Sequence, residues 1–182
     1  RRGSVTPGAA EWVEELQEAG ASVSVVACDV SELGSVQEAL MEVPSLRGII
    51  HAAGTLDDGI LADLTPERFD SVFQPKVQGA WNLHEATKQL DLDFFVLFSS
   101  VASIIGNPGQ GNYAAANHFL DSLAFMRRGQ GLPAVSIAWG TWADGGMAAD
   151  LGDADQARMQ RRGFNPLEES QGLTLLERAI RD

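Results

Sequence analysis

A hydroxyl, a phenol and an amide occur at spacings that could bring them together around one reacting oxygen. Ser100 ends an apolar run, and Tyr113 and Asn117 follow in a stretch rich in alanine. On a helix, Tyr113 and Asn117 point to the same side, and Ser100 at a strand end could approach that side across a turn. A phenol can protonate a carbonyl oxygen that gains negative charge, provided that a nearby cation lowers the phenol pKa from its free value of about 10.

Each of these residues also has an ordinary structural explanation. A lone tyrosine is more often a core residue with a satisfied hydroxyl than an acid catalyst. Ser100 could be a turn serine, with Ser99 as an alternative by proximity, and Lys76 taken alone is predicted to be a solvated helix lysine. The pairing of Tyr113 with Ser100 and Asn117 favours the catalytic interpretation.

The positioning elements are those of an α/β fold. Residues 94–98 form an uninterrupted apolar run, which predicts a strand buried on both faces of a parallel sheet. Such strands present chemistry at their carboxyl ends. A turn at residues 106–109 then leads into a helix predicted over 113–128.

Strands and helices alternate along the rest of the chain, which predicts a doubly wound parallel sheet. A Ser31 cap should precede the second helix, and Pro75 should kink or divide the third. The remaining strands are predicted at 21–28, 46–52 and 134–138, and the remaining helices at 11–18, 35–41, 65–88 and 167–181.

Composition excludes several classes of function. The chain has 182 residues, 45% of them hydrophobic and 21% charged, with a net charge of −12, which repels nucleic acids and anionic membrane surfaces. A lone cysteine, Cys28, cannot form an intrachain disulfide, and the three histidines show no ligand spacing, so no metal site is expected. No run is long and apolar enough to span a membrane, and the expected location is cytoplasmic.

The polar residues, taken together with the motif around Lys76, resemble a known family. Ser100, Tyr113 and Asn117, with Lys76 in Phe-Gln-Pro-Lys-Val-Gln-Gly, are similar to the ketoreductase domains of modular type I polyketide synthases. These domains belong to the short-chain dehydrogenase/reductases, with the Lys and Asn positions exchanged relative to ordinary members. The resemblance runs over nearly the whole chain.

The resemblance implies a Rossmann-like short-chain reductase fold in a single domain, 1–182. No G-x-G-x-x-G motif occurs. By this resemblance the chain is expected to be the C-terminal portion of the catalytic subdomain. The first two strands and the glycine-rich cofactor loop would then precede residue 1, and the last strand would follow residue 182.

The implied activity is reduction, with NADPH, of a β-ketoacyl chain tethered by phosphopantetheine to an acyl carrier protein, among neighbouring polyketide synthase domains. In this interpretation Tyr113 is the general acid and Ser100 hydrogen-bonds the same oxygen. Lys76 lowers the Tyr113 pKa and holds the cofactor ribose, and Asn117 supports a water that relays protons.

Further cofactor contacts are implied at three segments, each of which has a plainer alternative. A guanidinium binds phosphate bidentately, so Arg2, with Arg1, resembles a clamp for the 2′-phosphate, although both could be solvated chain ends. Asp29 and Val30 resemble an adenine-contacting pair, although an Asp after a strand is also an ordinary cap. The third segment consists of Ala52, Ala53 and Gly54. It would let the backbone approach the cofactor closely, although it could also be a tight turn.

Stereocontrol is implied by Leu56-Asp57-Asp58, which resembles the signature of B-type ketoreductases that form the D-configured (3R) alcohol. The opposite class has a Trp where this chain has Ile105, and the absence of Pro at position 115 resembles the B1 subgroup, which does not epimerise. As bare chemistry, the two acids could simply cap a helix. The other residues implied near the substrate are Pro108, Gln110, Asn112, Trp139, Gly140 and Met147.

Alternatives stay open for one segment and for the function of the chain. Residues 141–163 resemble a lid over the substrate, and a surface loop is the competing interpretation. The chain could also be a structural ketoreductase-like domain without activity, or a free-standing reductase of small ketones. The complete set of four polar residues argues against the former, and Asn117 in place of Lys argues against the latter.

Overall fold

Three parallel strands form the sheet in the computed structural model, which describes residues 8–143, 163 and 165–181. The strands are β1 (Gly48–His51), β2 (Phe94–Ser100) and β3 (Val135–Trp139), in the order β1-β2-β3. The register aligns His51 with Leu97 and Ser100 with Trp139, so the three carboxyl ends meet at one edge. The predicted α/β fold with a parallel Rossmann-like sheet is confirmed.

Helices connect the strands and flank them. None of the helices in the described ranges is both long enough and apolar enough to cross a bilayer. They are α1 (Ala9–Glu18), α2 (Leu33–Met41), a 3₁₀ turn (Leu61–Asp63), α3 (Pro66–Phe73), a π-helical segment (Gln74–Gln78), α4 (Gly79–Thr87), α5 (Ala102–Ile105), α6 (Gly111–Gly129) and α7 (Glu169–Arg181).

The central strand β2 carries the core. Phe95, Val96 and Leu97 are fully buried, so the strand is covered on both faces, as its unbroken apolar run predicts. Phe95 and Leu97 belong to a cluster supplied by the neighbouring helices: Val36, Ala80, Leu83, Leu120, Leu123 and Ala124. Burial of this strand holds its carboxyl end, and the serines there, in one place.

Pro75 divides the long predicted helix. Proline has no backbone N–H to donate, so a regular α-helical ladder cannot continue through it. The chain instead forms the π-helical segment Gln74–Gln78 between α3 and α4. This segment turns the Lys76 side chain into the protein, where it is 2% exposed.

Two local predictions are wrong. Residues 21–28 form no strand, because a strand requires a partner and β1, at the edge of the described sheet, pairs only with β2. Ser31 does not cap α2: its hydroxyl donates to Asp29 at 2.6 Å, and Glu32 precedes the helix without a side-chain hydrogen bond to it. The side chain of Asp29 thus competes for the serine.

A buried arginine links the helices. Arg127 of α6 is 1% exposed, and its guanidinium lies 3.9 Å from the centre of the Phe95 ring. It contacts Nδ1 of His84 in α4 at 2.9 Å and donates to the carbonyl of Pro133 at 3.2 Å. Arg127 therefore joins α4, α6 and the approach to β3, and burial lowers its pKa to about 10.

His51 makes stability depend on pH. Its pKa is lowered from 6.5 to about 4, mainly because burial disfavours the imidazolium and also because the Lys76 ammonium repels it. In the unfolded chain His51 takes up a proton near pH 6.5, whereas in the folded chain it does so only near pH 4. The free energy of unfolding should therefore fall as the pH drops through this window, by about 3 kcal/mol.

Denaturant unfolding at several pH values in this window measures the effect. His51→Asn should flatten the pH dependence of the unfolding free energy. His118→Asn, at an exposed position of α6, is the matched control and should leave it unchanged. Equal pH slopes in the wild type and His51→Asn would contradict the prediction.

Candidate functional site

The phenol, hydroxyl and amide predicted from the sequence meet at the carboxyl end of β2. Tyr113 lies in the first turn of α6 and is 8% exposed, and Asn117 lies one turn later, fully buried. The side chains of Ser100 and Asn117 both lie near enough to the Tyr113 phenol to lower its pKa, against the larger effect of burial, which raises it. The helix begins beside the strand end, and so these groups share one small region.

Ser99 and Ser100 have different surroundings because neighbouring side chains on a strand point to opposite faces. Ser99 is buried and donates to the backbone carbonyl of Asn117 at 3.2 Å. Ser100 is half-buried, interacts with Tyr113, and accepts the backbone N–H of Ala102 at 3.2 Å, which fixes the start of α5. The geometry therefore favours Ser100 over Ser99 as the hydroxyl that faces a ligand.

Lys76 is brought beside Tyr113 by the π-helical segment between α3 and α4. Its ammonium lies 5.4 Å from the centre of the Tyr113 ring and donates to the carbonyl of Phe98 at 2.9 Å. Burial lowers the Lys76 pKa to about 8, and the Asp121 carboxylate partly opposes this shift. The ammonium of Lys76 thus lies beside the Tyr113 ring, although the sequence alone indicated a solvated lysine.

The Tyr113 pKa is raised, contrary to the prediction that Lys76 would lower it. Burial is the main cause; Ser100 and Asn117 lower the pKa, and the Asp58 carboxylate raises it. The Lys76 ammonium faces the ring and bonds the Phe98 carbonyl, and so it does not offset the burial of the phenol oxygen. The phenol thus stays protonated at neutral pH and is a proton donor, not an acceptor.

Two buried polar atoms near this edge have no hydrogen-bond partner among the described residues. One is Oδ1 of Asn117, whose Nδ2 donates to the carbonyl of Tyr113 at 2.7 Å. The other is Nε1 of Trp139, at the end of β3 beside Ser100. Buried polar atoms are nearly always paired. An acceptor and a donor without partners here indicate a place built to receive a water or ligand.

Asp121 of α6 links the elements around the site by hydrogen bonds. Its two carboxylate oxygens accept hydrogen bonds of 2.6 Å from Ser103 of α5 and Ser136 of β3. The carboxylate therefore ties α6 to the two elements next to Ser100. It also supplies negative charge that favours the charged form of Lys76.

The predicted stereocontrol loop lies at the same edge and is held by hydrogen bonds on both sides. Asp57 pairs with Arg68 of α3 at 2.7 Å and accepts the Ser71 hydroxyl at 3.1 Å. Asp58 accepts the side-chain amide of Gln110 at 2.7 Å. The 3₁₀ turn and α3 begin at other residues, so the alternative that these acids cap a helix is wrong.

Asn112 connects this loop to the phenol. It is fully buried and donates to the backbone carbonyls of Asp57 at 2.9 Å and Arg68 at 3.1 Å. Its Oδ1 accepts the backbone N–H of Tyr113 at 2.8 Å.

Leu56, at the start of the loop, is 38% exposed. Pro108 belongs to the turn before α6, where Gly109 accepts the N–H of Gly59.

Asp29 and Val30 lie at the opposite flank of the sheet edge. Asp29 accepts the N–H and hydroxyl of Ser31 and so holds its own turn. It follows no strand and α2 has no side-chain cap, so the alternative that Asp29 is an ordinary cap after a strand is wrong. Val30 accepts the amide of Asn82 at 2.9 Å and packs on Gly79, where a Cβ would lie 2.8 Å from it. These contacts place residue 30 next to the end of β1.

The segment after β1 approaches Lys76 closely. Ala52 is exposed, and Ala53 and Gly54 are half-buried. A Cβ on Gly54 would lie 2.9 Å from Cε of Lys76, so glycine leaves room for the lysine stem. The close approach that the sequence predicts for a cofactor is thus, in this structure, an approach of Gly54 to Lys76.

Part of the predicted site lies outside the described residues. Arg1, Arg2, Met147 and most of the predicted lid 141–163 fall there. Trp139 is described: it is 7% exposed, and its ring contacts Phe98 and Trp142 at centroid distances of 5.3 and 5.0 Å. Gly140, which follows it, is exposed.

Arg68 was not predicted, although its side chain bonds Asp57 and the backbone carbonyls of Asp58 and Asp63. A signal was present in the sequence. A cation in the first turn of a helix is disfavoured by the helix dipole, so Arg68, two residues after Pro66, predicts a compensating acidic partner. The acids at 57 and 58 were available to fill that role.

These groups can protonate and polarise a carbonyl oxygen. A ketone whose oxygen lay between Tyr113 and Ser100 would receive a proton from the phenol and a hydrogen bond from the hydroxyl as negative charge developed. The buried Lys76 ammonium would stabilise that charge. The site thus fits reduction of a carbonyl better than hydrolysis, because the serine lacks a histidine base among the groups described around it.

Comparison with known proteins gives relatives over nearly the full chain. It is 54% identical over 185 residues to a phenolphthiocerol synthesis type I polyketide synthase of Mycobacterium marinum, covering 99% of this chain and 9% of that protein. It is 51% identical over 184 residues to polyketide synthase GfsA of Streptomyces halstedii, covering 99% of this chain and 2% of that protein. The chain thus spans a small part of these relatives.

Solved structures agree with these relatives. A structure titled as A-type ketoreductases from a modular polyketide synthase superposes with a TM-score of 0.93 at 43% identity, over 99% of this chain and 38% of that one. The first ketoreductase of the tylosin polyketide synthase gives 0.87 at 46% identity, over 97% of this chain and 38% of that one. The KR domain family model matches residues 1–144. The chain therefore belongs to the ketoreductase (KR) domain family of modular polyketide synthases.

Proposed function

We propose that this chain reduces the β-keto group of an acyl-carrier-protein-bound polyketide intermediate to a D-configured (3R) β-hydroxyacyl thioester, with NADPH. The observation that carries the proposal is the convergence of Tyr113, Ser100, Asn117 and Lys76 at one sheet edge, with Lys76 buried beside the phenol. These four residues come from two helical regions and a strand. Burial of the Lys76 ammonium costs free energy, and this cost supports a functional role over a purely structural one.

Tyr113 acts as the proton donor and Ser100 as the second hydrogen-bond donor to the ketone oxygen. The raised pKa of Tyr113 keeps its proton in place until the oxygen becomes basic during the reaction. The unpartnered Oδ1 of Asn117 accepts a hydrogen bond from a water that resupplies the proton. Lys76, oriented by the Phe98 carbonyl, holds positive charge beside the ring.

The described residues fit the reactive end of a nicotinamide cofactor. The Lys76 ammonium has three donors, and its hydrogen bond to Phe98 leaves donors for ribose hydroxyls. Backbone of residues 52–54 lies next to it. When bound, the cofactor supplies the hydride. The choice of NADPH over NADH rests on Arg1 and Arg2, whose guanidinium groups suit a 2′-phosphate.

The proposed 3R configuration rests on the loop at residues 56–58 and not on the fold. Solved relatives titled A-type, A1-type and C2-type all share this fold, so the fold does not distinguish these types. Asp57 and Asp58 are tied to α3 and to Gln110, beside Tyr113. Ile105 stands where the opposite class has a Trp, and it is 58% exposed. The loop and the absence of a Trp ring at position 105 together favour entry of the substrate from the side that yields the 3R alcohol.

Tyr113→Phe should abolish reduction while leaving NADPH binding nearly unchanged. The variant removes only the phenol oxygen, and loss of a general acid costs about 10²- to 10⁴-fold in rate. Loss of NADPH absorbance with a β-ketoacyl thioester, measured on the full-length protein, reports the rate, and fluorescence titration reports binding. Wild-type turnover in the variant would refute the acid assignment.

Activity should fall as the pH rises above about 8, because Lys76 loses its proton there. The charged form exists below this pKa, so kcat/KM for NADPH should be flat below it and fall about tenfold per pH unit above it. Lys76→Arg should remove this fall, because a guanidinium stays charged. Lys88→Arg, on the exposed end of α4, is the control. A wild-type profile that stays flat to high pH would contradict the assignment.

The product should be the 3R alcohol, and NADPH should be preferred to NADH. Chiral chromatography of the β-hydroxy product identifies the configuration. Arg2→Ala with Arg1→Ala should reduce the preference for NADPH by raising its KM, while kcat changes little, because the clamp contacts the cofactor away from the reacting atoms. A predominantly 3S product would overturn the stereochemical proposal and leave the reductase proposal intact.

A further inference from the structure

We propose that Arg68 is a positioning residue, which holds the 56–59 loop (Leu-Asp-Asp-Gly) against α3 and α6 and thereby sets the stereochemical outcome at Tyr113. The inference rests on the proposed function, since it concerns the substrate of the same site. Arg68 itself does not touch the reacting atoms. It acts through the loop.

The Arg68 guanidinium bridges three points of the segment that links β1 to α3. Its Nε contacts Oδ1 of Asp57 at 2.7 Å, its Nη2 donates to the carbonyl of Asp58, and its Nη1 donates to the carbonyl of Asp63 at 3.4 Å. The side chains of Arg68 and Asp57 are 29% and 34% exposed, so solvent screens the pair only in part. One planar group therefore fixes the side chain of Asp57 and the backbone of Asp58.

The fit requires arginine and the glycine it packs against. A Cβ on Gly59 would lie 2.6 Å from Nη1 of Arg68 and 3.0 Å from its Cζ. Glycine lets the loop backbone lie on the guanidinium. A lysine ammonium is a point charge and could satisfy the carboxylate or a carbonyl, but not this spread set of acceptors.

The loop is joined to the phenol by a continuous set of hydrogen bonds. Asn112 donates to the carbonyls of Arg68 and Asp57 and accepts the N–H of Tyr113. Gln110 donates to Asp58, and Gly59 donates to the carbonyl of Gly109. Arg68 joins the loop to α3 and so completes this set of hydrogen bonds. The Ser71 hydroxyl, also in α3, donates to Asp57 as well.

The charges around Arg68 also favour its contact with the loop. Hydrogen bonding from Arg68 is the main cause that lowers the pKa of Asp57, with Ser71 adding to it. Arg68 is also in the first turn of α3, where the helix dipole disfavours a cation. The acceptors of the loop supply the negative partners that keep it there.

Arg68→Gln and Arg68→Lys in the full-length protein test the proposal. The Gln variant should lower the 3R to 3S product ratio at least tenfold and kcat/KM for a β-ketoacyl thioester about 10- to 100-fold, because small displacements of a reacting group are costly. The Lys variant should recover part of both. Hydrogen exchange of the amides in residues 56–64 should speed up at least tenfold in the Gln variant.

Arg47→Gln is the matched control. Arg47 also bridges two acids, with Nε to Asp93 at 2.9 Å and Nη1 to Asp91 at 3.1 Å, but it lies at the opposite end of the sheet. It should leave product ratio and loop exchange unchanged. Gly59→Ala, which displaces the guanidinium without removing it, should reproduce the Gln variant and serves if that variant fails to fold.

The outcomes separate this inference from the proposed function. Wild-type product ratio and wild-type loop exchange in Arg68→Gln would overturn the positioning role. Slower turnover at an unchanged product ratio would overturn the stereochemical role. A wild-type protein that reduces no keto thioester would overturn the proposed function, and loop exchange in the variants would then still decide whether Arg68 holds the loop.

Discussion

The ammonium of Lys76 is buried beside the Tyr113 ring, and the structure around the site depends on keeping it there. A charge removed from water is costly unless hydrogen bonds and opposite charge compensate for it. Here the Phe98 carbonyl accepts its hydrogen bond, and Asp121 supplies negative charge. The lowered Lys76 pKa records the part of this cost that remains uncompensated.

Several local features follow from that constraint. The π-helical segment after Pro75 turns Lys76 inward, and π-helical turns within helices are frequent at functional sites. Gly54 leaves space for the lysine stem. Asp121 is held by Ser103 and Ser136, so the groups behind the lysine are rigid before any ligand binds. Such rigidity is what electrostatic stabilisation of a developing charge requires.

The sequence predicted the parts of this arrangement that depend on local pattern. The apolar run of β2, the helix containing Tyr113 and Asn117, and the break at Pro75 all follow from periodicity and backbone chemistry. Residues 21–28 have the composition of a strand, but composition cannot supply the partner that a strand needs.

Contacts between distant segments were beyond local pattern. The position of Lys76 was inferred from family resemblance, since its own neighbours indicate a solvated residue. The burial that raises the Tyr113 pKa depends on tertiary packing, which spacing does not reveal. The place of Arg68 in the first turn of α3 predicts an acidic partner but not which acid supplies it. Arg127 carries no such local signal, because its partner His84 lies in α4.

Two cations are buried among the described residues, and their surroundings differ. Arg127 is surrounded by the Phe95 ring, His84 and the Pro133 carbonyl, so its planar face and two of its five N–H donors are used within the fold. Lys76 donates one hydrogen bond to the described residues, to the Phe98 carbonyl, although an ammonium has three donors. Because an underused buried donor is costly, selection for stability alone would favour an apolar residue at position 76. The proposed cofactor would complete the hydrogen bonds of this lysine, and the unpartnered Oδ1 of Asn117 on the adjoining helix supports the same proposal.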